Sequence, residues 1–260
     1  MNYLDKKLLL FASIILNVLY SNYSNSNLEI PQIITKKQEI IEHKYYTLSY
    51  NEKHEQANWV AYQLTYEQIN GTIDRRYNEK WKQDPNITTG SSKVSDYKKS
   101  GYDRGHLVPA ADMKLNKTSM RETFYMSNIT PQHKYCNRYS WKHLEQNLRD
   151  LIIEHNDILY IATGPVLNDR LDNYIGNFVT VPNYFYKVIL DYSKNKPKAI
   201  GFIIPNIDTK DNNYKNLNRF ACSIDYIESI TGIDFFFNLP DDVELIIEEK
   251  YNIKDWGFNF

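Results

Sequence analysis

The string Asp103-Arg104-Gly105-His106 carries the most unusual local chemistry in the chain. A histidine accepts a proton near neutral pH more readily than other side chains. The glycine before it lets backbone approach a ligand or take a conformation that other residues resist. An arginine holds a phosphate through two parallel hydrogen bonds. Asp103 has two uses, orienting a histidine or pairing with the arginine. Taken alone the string is modest support, because a lone histidine is more often structural than catalytic.

About thirty residues later, Ser127-Asn128-Ile129-Thr130-Pro131-Gln132 leads into Asn137, Trp141 and Glu145. The last three recur at i+4 steps, which predicts a shared broad helix face. An amide oxygen from Asn137 and a carboxylate from Glu145 are hard donors that suit Mg²⁺ or another divalent cation. A helix cap at Asn137 and a solvated charge at Glu145 are the structural alternative.

Several elements must position these groups. Strand character is expected over His43–Tyr50 and Trp59–Thr65, after a polar leader over residues 28–42. Asp84-Pro85 marks a turn or strand start. Helical periodicity runs from Asn137 to His155 through Trp141, Leu144, Leu148, Leu151 and Ile152. Ile158–Thr163 reads as a buried strand. Phe178–Leu190 reads as one long strand or a bent pair interrupted by Pro182, and Ala199–Ile204 as another strand. Ser223–Ile230 is a short helix closed by Gly232. The sum is an α+β chain with a mostly antiparallel central sheet flanked by helices.

The formal net charge of −1 excludes a chain that depends on overall basicity to hold nucleic acid. A catalytic site needs only a local basic cleft, and a bound cation supplies part of the positive charge. Lys93, Lys98, Lys99, Lys114, Lys117, Arg121, Arg138 and Lys142 surround the two motifs, although a solvated surface is the simpler reading of each. At the N-terminus, Lys6 and Lys7 precede an apolar run from Leu8 to Leu19 and a polar stretch to Asn27. This is the layout of a secretory signal peptide, expected over residues 1–26, with a domain over 27–260 and a secreted or periplasmic destination. The run is short for a membrane span, so no stable membrane insertion is expected after processing. Cys136 and Cys222 are compatible with one disulfide or with two small buried thiols.

Together the motifs resemble the DNA/RNA non-specific endonucleases of the ββα-metal class, an endonuclease G-like family. The resemblance rests on Tyr102–Leu107, on Ser127–Gln132 and on Asn137-x-x-x-Trp141-x-x-Leu144-Glu145. It extends more weakly to Trp59–Thr65, Trp81-x-x-Asp84-Pro85 and Thr163-Gly164-Pro165. It implies a ββα-metal (His-Me finger) core and a metal-dependent endonuclease acting on DNA and RNA. By the resemblance, His106 matches the general base, Asn137 the direct protein ligand of Mg²⁺, and Glu145 the acid that orients water on the metal. Arg104 matches the arginine beside the base, and Asn128 a further asparagine near the site. Arg76 or Arg75 matches a second arginine that stabilises the transition state, with Arg76 preferred. Asp103, Asn128 and Arg75 are expected on the substrate side. Such contacts address the nucleic-acid backbone, so little sequence preference is implied.

Two other classes compete with this reading. A catalytically weak nucleic-acid-binding module of the same fold would have lost the base or the metal asparagine, yet His106, Asn137 and Glu145 are present. A serine hydrolase lacks support, since no Gly-x-Ser-x-Gly elbow occurs. Export fits nutrient scavenging or defence, and delivery as a toxin would require a matching inhibitor protein.

Overall fold

Runs of β-branched and aromatic residues at period two build the frame on which the site hangs. The structure is a computed structural model describing residues 27–33, 39–74, 80–192, 196–207 and 215–258. The expected export segment and both Arg75 and Arg76 lie outside the described residues. The strands are β1 (Gln32–Ile33), β2 (Glu39–Glu42), β3 (Thr47–Asn51), β4 (Gln56–Leu64), β5 (Asp103–His106), β6 (Ile129–Gln132) and β7 (Leu159–Pro165). They continue with β8 (Tyr174–Ile175), β9 (Val179–Thr180), β10 (Tyr184–Asp191), β11 (Lys198–Pro205), β12 (Ala221–Cys222) and β13 (Ile233–Asp234). The α-helices are α1 (Tyr66–Ile69), α2 (Lys117–Glu122), α3 (Lys142–His155), α4 (Ile224–Thr231) and α5 (Asp241–Glu249).

A seven-stranded sheet in the order β12-β11-β10-β7-β4-β3-β2 forms the centre, with every neighbouring pair antiparallel. β7 is buried along its whole length between β4 and β10. Alternation along the strands gives the sheet two apolar faces. Tyr62, Leu64, Ile161, Phe185 and Ile189 face one side, where Trp141, Leu144, Leu148 and Ile152 pack against them. Ala61, Tyr160, Ala162, Tyr186 and Val188 face the other, covered by Ile224 and Ile227 of α4 and Ile247 of α5. Leu144, Leu148 and Ile152 recur every four residues and are fully buried, each worth roughly 1.5–3 kcal/mol. They fix α3 on the sheet, and Asn156 in the left-handed conformation ends it.

Two expectations need correction. Residues 28–42 are not a featureless leader, because β1 pairs with β13 and β2 forms the sheet edge beside β3. Both strands are too short to show a period in sequence. His43–Tyr50 is not one strand: a turn closed by His43 N–H donating to Tyr46 O at 2.9 Å separates β2 from β3. Of the two forms expected for Phe178–Leu190 the structure shows the interrupted pair, divided at Pro182, which lacks an N–H for the ladder. β9 pairs in a small hairpin with β8, whereas β10 enters the central sheet. The helix after Ser223 and its Gly232 stop stand as expected, with the Ser223 hydroxyl accepting from Tyr226 N–H. Cys136 is buried in the core and Cys222 lies on β12, both as free thiols. Among the described residues no helix is long and apolar enough to cross a membrane.

Candidate active site

β5 and β6 pair antiparallel, with Asp103 opposite Gln132 and His106 opposite Ile129. A π-helical turn over Cys136–Trp141 follows and runs into α3. The two chemical motifs are therefore adjacent pieces of one ββα unit. Gly105 is required by its neighbour across the ladder, since a Cβ there would stand 2.2 Å from Cδ of the buried Gln132. Beyond the strand, Leu107 N–H donates to Asn128 O at 3.0 Å. The Asn128 side chain accepts from Val108 N–H at 2.9 Å and donates to the carbonyls of Val108 and Thr123, both at 3.0 Å. Asn128 is fully buried with its amide satisfied, so it holds the loop behind the histidine and does not reach the cleft.

The His106 ring lies against Trp81, centroids 5.0 Å apart, and edge-on to Phe124 at 5.4 Å. These contacts restrict the imidazole without using the proton chemistry of its nitrogens. The other part of the Trp81 surface takes the Arg104 guanidinium at 5.0 Å from the centroid. Arg104 Nε is buried without a hydrogen-bond partner among the described residues.

Asp103 makes its side-chain hydrogen bonds to Asn137 and Arg138. Its Oδ2 accepts from Asn137 Nδ2 at 3.0 Å and from Arg138 Nε at 2.7 Å, and its Oδ1 accepts from an Arg138 amino group at 2.6 Å. Burial acts to raise the Asp103 carboxyl, but the hydrogen bonds from Arg138 and Asn137 hold it below its ordinary value. A carboxylate can only accept, so the Asn137 nitrogen must face Asp103 and its Oδ1 must face away. That oxygen belongs to a side chain lining a cleft of about 440 Å³, together with Trp81, Arg104, His106 and Glu145. Arg138, Lys142 and Arg149 add positive charge to the same cleft. Of the surface lysines near the motifs, Lys93, Lys98 and Lys99 are not among its lining residues.

The shared face expected for Asn137, Trp141 and Glu145 does not hold. Trp141 is 1% exposed and packs into the core, edge-on to Phe185 at 5.8 Å. The wide π turn, with its i→i+5 bonding, breaks the α-helical phase between Asn137 and Glu145. The polar pair meets the cleft while the tryptophan between them anchors the turn.

Beneath the cleft lies a group of buried charges that motif reading missed. The Arg149 guanidinium donates to Asp112 Oδ1 at 2.7 Å, and Tyr62 OH donates to Asp112 Oδ2 at 3.0 Å. Lys187 is fully buried, with Nζ 4.8 Å from the Trp141 ring centroid and 5.8 Å from that of Tyr62. Burial raises the Glu145 carboxyl, and the positive charge of Lys187 opposes the rise. Burial likewise lowers the Lys187 ammonium, with Glu145 and Asp112 opposing. The available signals were Arg149 at i+4 from Glu145 and a lone lysine in the apolar run Phe185–Leu190.

The chain is similar to known proteins over most of its length. The family model described as DNA/RNA non-specific endonuclease matches residues 24–242. A nuclease of Nostoc sp. is 32% identical over 93% of this chain and 88% of its own length. Nuclease C1 of Cunninghamella echinulata is 34% identical over 77% of this chain and 84% of its own. Human mitochondrial endonuclease G is 32% identical over 75% of this chain and 68% of its own. A crystal structure of an EndoG/EndoGI complex aligns with a TM-score of 0.68 at 32% identity, covering 79% of this chain and 88% of that one. With the ββα unit, the basic cleft and these relatives in agreement, the chain belongs to the DNA/RNA non-specific endonuclease family and is a phosphodiester hydrolase.

Proposed function

We propose that His106 is the general base of a divalent-metal-dependent reaction that cuts DNA and RNA within the chain. The observation that carries this reading is the fixed orientation of Asn137. Asp103 holds its nitrogen, which leaves its amide oxygen for the cleft that Glu145 and His106 also line. One neutral and one acidic oxygen donor fit a hard cation, with Mg²⁺ or Mn²⁺ the expected ion and Asn137 its direct ligand. When bound, such an ion supplies positive charge at the scissile phosphate and the departing oxygen.

The remaining steps belong to the chain. His106 takes a proton from the attacking water while Trp81 and Phe124 keep its ring in place. Arg104, stacked on Trp81, faces the cleft as a phosphate-binding cation, with Arg138 and Lys142 extending the positive surface. Glu145 positions water on the acidic side of the cleft. Arg76, or Arg75 in its place, is proposed as the cation that meets charge developing on phosphorus. Asp103 and Asn128 act as positioning residues, one for Asn137 and the other for the loop after His106. None of these groups reads a base, which supports action on both DNA and RNA with little sequence preference. The basic apolar N-terminus supports a secreted or periplasmic protein. The neighbour solved with EndoGI supports an inhibitor protein as a further partner.

The test is cleavage of supercoiled plasmid and of a structured RNA by wild-type protein and Asn137→Ala, with Mg²⁺ and with excess EDTA. Both substrates should be cut only with metal, and Asn137→Ala should need far more of it. Equal cleavage in EDTA would overturn the metal-dependent reading.

A further inference from the structure

A second group of carboxylates lies across the sheet from the active site, where α4, α5 and β13 meet. Ligand oxygens of Asp225 and Glu228 on α4 and of Glu248 on α5 all lie within 4.8 Å of one another. Glu244, one turn before Glu248, and Asp234 on β13 add further negative charge around Glu228 and Glu248. Asp225 is exposed, Glu228 half-buried and Glu248 only 5% exposed.

Two observations separate this group from an ordinary acidic surface. Glu248 Oε1 is buried and has no hydrogen-bond partner among the described residues. Burial and the other acids, Glu228, Glu244, Asp225 and Asp234, dominate its environment. Leaving such a carboxylate buried and unpaired is costly, so native structures pair it or neutralise it. The packing offers little to offset that cost. α5 buries Ile247 beside Glu248, while Leu245 and Ile246 of the same helix are 71% and 67% exposed. One oxygen of Glu228 is already held, since Oε1 accepts from Phe235 N–H at 2.7 Å, which fixes this carboxylate toward the cluster. Asp234 is fixed similarly by the Gln32 amide at 3.0 Å.

We propose that Asp225, Glu228 and Glu248 form a structural calcium site that clamps α5 onto α4, separate from the catalytic metal. The spacing accommodates the larger hard cation. Oxygens bound to calcium at about 2.3–2.6 Å lie up to roughly 5 Å apart across the ion, whereas magnesium demands a tighter octahedron at about 2.0–2.1 Å. Three carboxylates with water in the remaining positions are an ordinary calcium donor set. Burial and its acidic neighbours push Glu248 up to about 9 and Glu228 to about 7.

The experiment uses the full chain carrying Asn137→Ala, so that the catalytic ligand is absent, and titrates CaCl₂ by calorimetry and thermal unfolding. One calcium per chain should bind and raise Tm by several degrees, with MgCl₂ at equal concentration giving a smaller shift. Adding Glu248→Gln should weaken calcium binding at least tenfold and remove the Tm rise, while leaving the calcium-free Tm unchanged or higher. Asp225→Asn, at an exposed rim position with little packing to lose, should weaken binding in the same direction. No calcium heat and no Tm rise in the Asn137→Ala protein would overturn the site. So would a calcium response that survives both Glu248→Gln and Asp225→Asn.

Discussion

Asp103 Oδ2 and Asn137 Nδ2 are 3.0 Å apart, and this single hydrogen bond decides which end of the asparagine amide meets the cleft. Asp103→Ala removes the acceptor and frees the amide to rotate, while Arg138 loses its partner at an exposed position. The half-maximal Mg²⁺ concentration for plasmid cleavage should rise by about 10–100-fold, the range for loss of a group that orients a metal ligand. Stability should change little, because the Arg138 pair is largely solvated. A metal titration of cleavage, alongside thermal unfolding, checks both.

The same bond shows what sequence reading reaches and where it stops. Residue type and the ordered motifs singled out Asp103, Arg104, His106, Asn137 and Glu145 as candidates, and four of them, Arg104, His106, Asn137 and Glu145, line one cleft. The partner of Asp103 was not identifiable, since only the β5–β6 register and the following π turn bring it to Asn137. Trp141 was misplaced for a related reason: the i+4 rule assumes an α-helix throughout. Lys187 belongs to β10, and only strand pairing and the inward face shared with Phe185 and Ile189 set it near Glu145. The long strands of the central sheet, β3, β4, β7, β10 and β11, were legible because apolar patterning over five or more residues is a local signal. β1, β2 and the break at His43–Tyr46 were not, because two to four residues hold no period.

Gly105→Ala should disrupt the pairing of the two site strands. The new methyl would meet Gln132 Cδ, Oε1 and Cγ at 2.2–2.4 Å, inside a fully buried pocket. A loss of about 1–3 kcal/mol is expected from overpacking. Shortening the diagonally placed side chain in Gly105→Ala/Gln132→Ala should recover part of it, and a double-mutant cycle in urea measures the coupling.

Arg149→Met should cost about 3–5 kcal/mol, the range for breaking a buried ion pair on one side. Asp112 is 1% exposed and would keep Tyr62 OH but lose its counter-charge. Replacing both members, Arg149→Met with Asp112→Asn, should cost less than the sum of the single changes. Equal additivity in urea unfolding would contradict the coupled description.

Stability without calcium should fall as pH rises from weakly acidic to alkaline. Burial and neighbouring acids raise the carboxyls of Glu228, Glu244 and Glu248 in the folded chain above their ordinary value of 4.5, to about 7, 7 and 9. A raised group binds protons more tightly when folded, so its contribution is fully present below about 4.5 and is lost as pH climbs through the folded value. Asp103 and Asp84 are lowered from 3.8 and act oppositely, their contribution being lost only as pH falls below that range. Thermal unfolding in chelator between pH 5 and 9 should show a declining Tm that Glu248→Gln flattens. A Tm that rises across this window would reverse the sign.

The most direct test of the account is the cleavage rate of His106→Ala on supercoiled plasmid at saturating Mg²⁺ and enzyme in excess over substrate. Loss of a general base should slow cleavage by roughly 10²–10⁴-fold while nucleic-acid binding and the half-maximal Mg²⁺ concentration stay near those of the parent. A folded His106→Ala protein that cuts within a few-fold of the parent rate would contradict the assignment of His106 as the proton acceptor.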